Sequence, residues 1–313
     1  MIFVHTKGMG SYTLHIPLDV ARDKEKQYHH NFDIATRGSG RLMLFAGDQK
    51  VEHLNKDFFG ENISPEDANP EHLFQIASKA KIGVFASQLG LIARYGSDYA
   101  HVPYLVKINS KTNLLPKDKF DPYSPAWYSV QDVVDFQKQS KLNILGVGYT
   151  VYLGGEYETY HLREAAQVVK QAHEQGMLAI IWMYVRGKEL KKSDEQDAAA
   201  IAGAAGVGAC LGADFVKVYP PTATKTQTSA QLVQQAVKAA GRTRVVCIGG
   251  EQTIPLVFLQ NLAEQLAVGG TGGSATGRNI HEKSLQDGIM LCDAISALVC
   301  EGKPIEEVVK IYQ

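Results

Sequence analysis

A short β-rich run comes back eight times after residue 41, at 42–48, 81–87, 104–109, 144–153, 178–184, 215–219, 244–250 and, as the glycine-rich GGTGGSATGRN, at 269–279. Most of the intervals carry helical periodicity: Leu162, Ala165, Ala166, Val169 and Ala172 put apolar side chains on one face at steps of three and four. Eight strands each followed by a helix close most simply into a (β/α)8 TIM barrel. A doubly wound sheet would usually have fewer strands and a GxGxxG turn after the first, and no such turn follows Asp48. Two helix starts are expected from Ser/Thr-x-x-Gln spacing, at Ser193 with Gln196 and at Thr228 with Gln231.

The expected organisation is a single barrel domain over 41–313, preceded by an N-terminal extension over 1–40 that packs on it. A solvated arm is the competing reading of the extension, because Asp23-Lys24-Glu25-Lys26 is a charge run. Residues 110–128, rich in Pro, Lys, Asp and aromatics, form an excursion after the third strand, where loops rise from the C-terminal face.

Composition closes off several classes of function. With 45% hydrophobic residues the chain can fill one large core, and a net charge of −1 with interspersed signs provides no broad footprint for nucleic acid or an anionic membrane. Four cysteines without a CxxC pair argue against a disulfide framework and a thiolate metal site, and the ten histidines make no HxxxH or HxH arrangement. No metal and no cofactor are therefore expected. The start lacks a secretory h-region and no apolar run is long enough to span a bilayer, so a cytoplasmic protein is expected.

Chemistry concentrates at the C-terminal ends of the strands. In ADFVKVY, Lys217 faces away from Val216 and Val218; if the valines meet the outer helices, the amine enters the barrel. Burial and nearby cations lower such an amine's pKa, leaving a nucleophile that can form a Schiff base with a ketone, and the iminium is an electron sink for C–C cleavage. A snorkelling strand-end lysine is the bland alternative. Trp182, Tyr184 and Arg186 share one face of the fifth strand, offering substrate packing, a proton donor or acceptor, and an anion clamp. Asp48 and His53 stand just past the first strand, although a lone Asp there is often a turn or cap residue. Lys107, with Asn109, is a rival Schiff-base lysine or a second cation depressing the pKa of Lys217. Gly249-Gly250 and Gly277-Arg278 end the seventh and eighth strands, where backbone N–H groups and a guanidinium can cradle a phosphate.

These segments resemble a known family, the archaeal-type (DhnA-type) class I fructose-1,6-bisphosphate aldolases. The resemblance spans about residues 42–300 and rests on GDQKVEH at 47–53, PYLVKIN at 103–109, WMYVRG at 182–187, ADFVKVY at 213–219, IGG at 248–250 and GRN at 277–279. It implies Lys217 as the Schiff-base lysine, Tyr184 as the principal proton-transfer residue and Asp48 as the carboxylate near the reacting carbons. Trp182 would line the substrate site. Gly249, Gly250, Gly277 and Arg278 would hold one phosphate, and Arg186 with His53 the other end of a bisphosphate. The expected partner is a phosphorylated sugar, and the resemblance suggests a homo-oligomer. Two positions depart from the family pattern: Lys50 replaces a glycine and Ile248 a serine. A related lysine-dependent aldolase or acyltransferase acting on another phosphorylated ketose, and a sugar-phosphate sensor without chemistry, are the alternatives.

Overall fold

The structure, a computed structural model, describes residues 2–4, 12–115 and 119–312. Parts of the expected extension (1 and 5–11) and of the 110–128 excursion (116–118) lie outside the described residues.

Eight parallel strands close into a barrel in chain order. They are β1 (Leu42–Ala46), β2 (Val84–Gln88), β3 (Tyr104–Lys107), β4 (Ile144–Leu153), β5 (Leu178–Val185), β6 (Phe215–Val218), β7 (Arg244–Ile248) and β8 (Gly273–Thr276). The ring closes where β8 pairs with β1, from Gly273 beside Leu42 to Thr276 beside Phe45. Period-two alternation divides the strands between two cores. Leu44, Leu105, Ile180, Phe215 and Val246 fill the lumen, while Met43, Val106, Ile181, Val216, Val218 and Cys247 meet the surrounding helices.

The lumen core continues downward into the N-terminal segment, with Leu14, Val20, Tyr28, Phe32 and Ala35 in the same cluster. The helix Glu25–Thr36 begins inside the charge run and turns its apolar side to the N-terminal ends of the strands. Phe32 stacks on Phe215 with ring centroids 5.7 Å apart, and Arg244 lies over the Phe32 ring. Around this plug the Asp214 carboxylate accepts hydrogen bonds from the Tyr28 hydroxyl and the Ala179 N–H and pairs with His173, whose other nitrogen reaches Asp19. The described part of the segment thus stops the lower mouth of the barrel and leaves the upper one open.

Element boundaries differ from the sequence expectation in physically legible ways. β2 starts at Val84 rather than residue 81, and β8 contracts to four residues inside 269–279, because its flanking glycines form the approach and exit turns. Thr228 and Gln231 make the expected reciprocal capping box on the helix Ser229–Ala240. Ser193 does not. It precedes only the 3-10 turn Asp194–Gln196 without a capping hydrogen bond, and the following helix, Ala198–Cys210, is capped by the Asp197 carboxylate, which accepts from the Ala199 and Ala200 N–H groups.

Candidate active site

The upper mouth is lined by Asp48, Gln49, Glu52, His53, Trp182, Tyr184, Lys217, Tyr219, Ile248–Gly250 and Gly277–Arg278. It opens into an outer vestibule of about 1200 Å³. No described helix is long and apolar enough to cross a membrane, and among the described residues no group of three or more His, Cys, Asp or Glu side chains could hold a metal.

Lys217 enters the lumen because its neighbours Val216 and Val218 belong to the outer core. It is only 3% exposed, and its ammonium position lies 4.7 Å from the centre of the Trp182 ring on the adjacent strand, to whose register it is paired. Its nitrogen makes no hydrogen bond or ion pair with any described residue. Burial lowers its pKa, Asp48 and Glu52 pull it back up, and Arg278 adds to the depression.

Lys107 is equally buried and lies 5.2 Å from the same indole, but it is tied down. Its nitrogen donates to the Asn109 carbonyl at 2.7 Å and to the Asn109 side-chain oxygen at 2.9 Å. Asn109 is itself fixed by donating to the Ser124 and Thr150 carbonyls. Burial lowers the Lys107 pKa to about 8, with Asp48 and Glu52 opposing and Lys217 reinforcing the shift. The close approach of these groups needs Gly148, where a Cβ would sit 2.7 Å from the Trp182 ring and 3.1 Å from the Lys107 side chain.

Tyr184 stands two residues beyond Trp182 on β5, its ring 5.1 Å from Tyr219 and 6.2 Å from Tyr152. Its hydroxyl has no hydrogen-bond partner among the described residues. Burial raises its pKa well above the ordinary phenol value, helped by Tyr219, Glu52 and Asp48, so the resting group is a protonated donor.

On the opposite wall the Gly249 N–H is committed to the Ala275 carbonyl at 3.2 Å, so this residue contributes space, while Gly250 turns through a left-handed φ of +73°. At Gly277 a Cβ would lie 2.8 Å from the Ala46 carbonyl oxygen, a backbone atom, so the last strand's exit packs this closely on the end of the first strand only with glycine there. Arg278 reaches Asp57 at 3.5 Å, and Asp57 is also hydrogen-bonded to His53. His53 is therefore coupled to the glycine-loop arginine, whereas the sequence expectation grouped it with Arg186.

Arg186 also differs from an open anion clamp. It is 4% exposed and pairs with Glu52 at 3.1 Å, with Glu195 at 3.8 Å, and donates to the Tyr219 hydroxyl at 3.0 Å. Lys50 turns out of the site, with its nitrogen on the Ala68 carbonyl and over the Phe58 ring, whereas Ile248 remains in the lining. From the excursion after β3, Asn113 and Leu115 line the vestibule, and the Asn113 N–H donates to the Glu52 carbonyl. Sequence reasoning missed Glu52, Asp57, Glu195 and Tyr219. Only Tyr219 had a signal, as it follows Lys217 by two residues on the same face.

Comparison with known proteins points to one chemistry. The DeoC/LacD family aldolase profile matches residues 42–283. A protein of Methanocaldococcus jannaschii called fructose-bisphosphate aldolase/6-deoxy-5-ketofructose 1-phosphate synthase is 55% identical over 297 residues, covering 95% of this chain and 94% of its own. The solved fructose-bisphosphate aldolase of Slackia heliotrinireducens superposes with a TM-score of 0.93 at 50% identity, over 96% of this chain and 93% of that one. An archaeal fructose-1,6-bisphosphate aldolase, solved with its catalytic lysine covalently bound to the carbinolamine intermediate, gives 0.73 at 27% identity over 87% of this chain and 99% of that one.

Proposed function

Because the chain belongs to the DeoC/LacD family of aldolases, we propose that it is a class I fructose-bisphosphate aldolase, a lyase that reversibly cleaves fructose 1,6-bisphosphate through a Schiff base on Lys217. The observation that carries this reading is the state of the Lys217 nitrogen: enclosed at the open end of the barrel, with a lowered pKa and no hydrogen-bond or ion-pair partner among the described residues, while its rival Lys107 is held by Asn109.

In this mechanism the neutral Lys217 amine adds to the C2 ketone, and loss of water from the carbinolamine gives the iminium. The C4 hydroxyl then loses its proton, the C3–C4 bond breaks, and its electron pair moves into the iminium to leave an enamine while glyceraldehyde 3-phosphate departs. Protonation at C3 and addition of water release dihydroxyacetone phosphate and the amine. Tyr184 moves the protons. Its phenol is a donor at rest, and the positive charge of the iminium favours the phenolate that can accept from the C4 hydroxyl. Asp48, near enough to act electrostatically on Lys217, supports that charge. Trp182 packs on the reacting segment, and Gly250, Gly277 and Arg278 take the phosphate on the dihydroxyacetone side, where Gly249 leaves the space for it. Arg186 serves the vestibule side, and His53 works with Arg278, to which Asp57 couples it.

A second aldol reaction is favoured by the pairing of Arg186 with two carboxylates. A distal subsite whose cation is already compensated has no need of an anion. The name of the M. jannaschii relative includes a synthase whose product carries a single phosphate. The reading extends to a cytoplasmic enzyme of glycolysis and gluconeogenesis that works as a homo-oligomer, a state supported by exposed apolar groups such as Ile254, Leu256 and Val257.

The activity is tested by assaying fructose 1,6-bisphosphate cleavage with a chelator in excess. Undiminished turnover is expected, since the lysine iminium supplies the electron sink. Activity lost to the chelator and restored by zinc would overturn the class I assignment.

A further inference from the structure

The carboxylates around Arg186 divide into two kinds. Glu52 acts electrostatically on Arg186 and also on Lys217 and Lys107, and it lines the inner pocket with Lys217, so it belongs to the reacting centre. Glu195 comes from the 3-10 turn after β5, lines the vestibule, and acts on Arg186 and Tyr219 without figuring at either lysine. Its oxygen is 3.8 Å from the guanidinium, longer than the 3.1 Å of Glu52, while the two carboxylate side chains are about equally exposed, so distance and position in the vestibule set Glu195 apart. Glu195 is thus the partner of Arg186 placed to yield to an incoming group.

A charge pair of this kind sets how a site values an anion. Arg186 is nearly out of water, so a phosphate reaching it must compete with a carboxylate already in place, and the remaining negative charges repel it at low effective dielectric. An uncharged aldehyde meets no such repulsion. We infer that Glu195 is the specificity-determining counterion of the distal subsite, holding Arg186 compensated so that the aldehyde partner can be either phosphorylated or neutral. The inference rests on the aldolase reading and concerns only the choice of the second substrate.

Glu195→Gln keeps the side chain's size and removes its charge. The full chain is assayed for condensation of dihydroxyacetone phosphate with glyceraldehyde 3-phosphate and, separately, with unphosphorylated glyceraldehyde, at fixed ionic strength. The ratio of kcat/KM for the phosphorylated over the neutral aldehyde should rise about tenfold, through a lower KM for the former with kcat little changed. Glu195→Lys, which adds a cation, should move the ratio further in the same direction. A ratio within twofold of wild type in both variants, or a parallel fall for both aldehydes, would overturn the inference. Borohydride trapping of dihydroxyacetone phosphate on wild type separates the two readings: a trapped adduct with an unmoved ratio removes the role of Glu195 alone, whereas no adduct removes the aldolase reading itself.

Discussion

Tyr184 shows how a residue's surroundings assign its role. Its buried phenol, held protonated in the resting site, has no partner among the described residues and can spend its hydrogen bond on substrate. Tyr184→Phe keeps the ring packing against Tyr152 and Tyr219 and should lower kcat by about 10²–10⁴-fold. Borohydride should still trap a Lys217 adduct in this variant. A kcat within threefold of wild type would assign the proton transfer elsewhere. Residues on the lumen-facing side of strands were readable from the sequence, because alternation states which neighbours point the other way: Val216 and Val218 for Lys217, Ile181 and Met183 for Trp182 and Tyr184. Glu52, Asp57 and Glu195 were not. They stand in short polar segments beyond the strand ends, where a carboxylate that reaches an arginine of the site looks like one that faces water.

At the level of elements, the two Ser/Thr-x-x-Gln sites were alike in sequence and differ in structure. The spacing is informative only where a helix follows at once. At Thr228 it does, and at Ser193 three residues of 3-10 turn intervene before Asp197 takes over. Thr228→Ala and Asp197→Ala should each cost ~1 kcal/mol in urea unfolding, and Ser193→Ala close to nothing. Equal losses at Ser193 and Asp197 would show the cap misassigned. The N-terminal helix hid its function for a related reason: its Tyr28 and Phe32 are spaced as on any amphipathic helix, and nothing in that spacing says the buried face will meet a barrel floor. At that floor burial alone would lower the His173 pKa, but Asp214 and Asp19 outweigh it and raise the value to about 9. The sign follows from linkage: a raised pKa contributes stability that is full below about 6.5, the unfolded value, and is lost as pH rises through about 9. The stability gap between wild type and His173→Asn should therefore shrink by about 3 kcal/mol from pH 6 to pH 10. A gap constant with pH would show that His173 is neutral in the fold.

For the whole molecule, the barrel was legible because eight strand runs in regular alternation with helices leave few ways to close. The last run was legible only through its position, since glycines supply the turns and little of the strand. The lower mouth is stopped by the N-terminal segment and the upper one is open, so the catalytic groups gather at one end, where β1, β5, β6, β7 and β8 deliver Asp48, Tyr184, Lys217, Gly249 and Arg278 to a common pocket. The enclosed, unpartnered amine at its centre is what the functional reading depends on. It is tested most directly by adding borohydride to the full chain with dihydroxyacetone phosphate and locating the adduct by mass spectrometry. One adduct per chain, on the peptide carrying Lys217, is expected in wild type and in Lys107→Met, and none in Lys217→Met. An adduct on Lys107, or no adduct in wild type, would contradict the assignment.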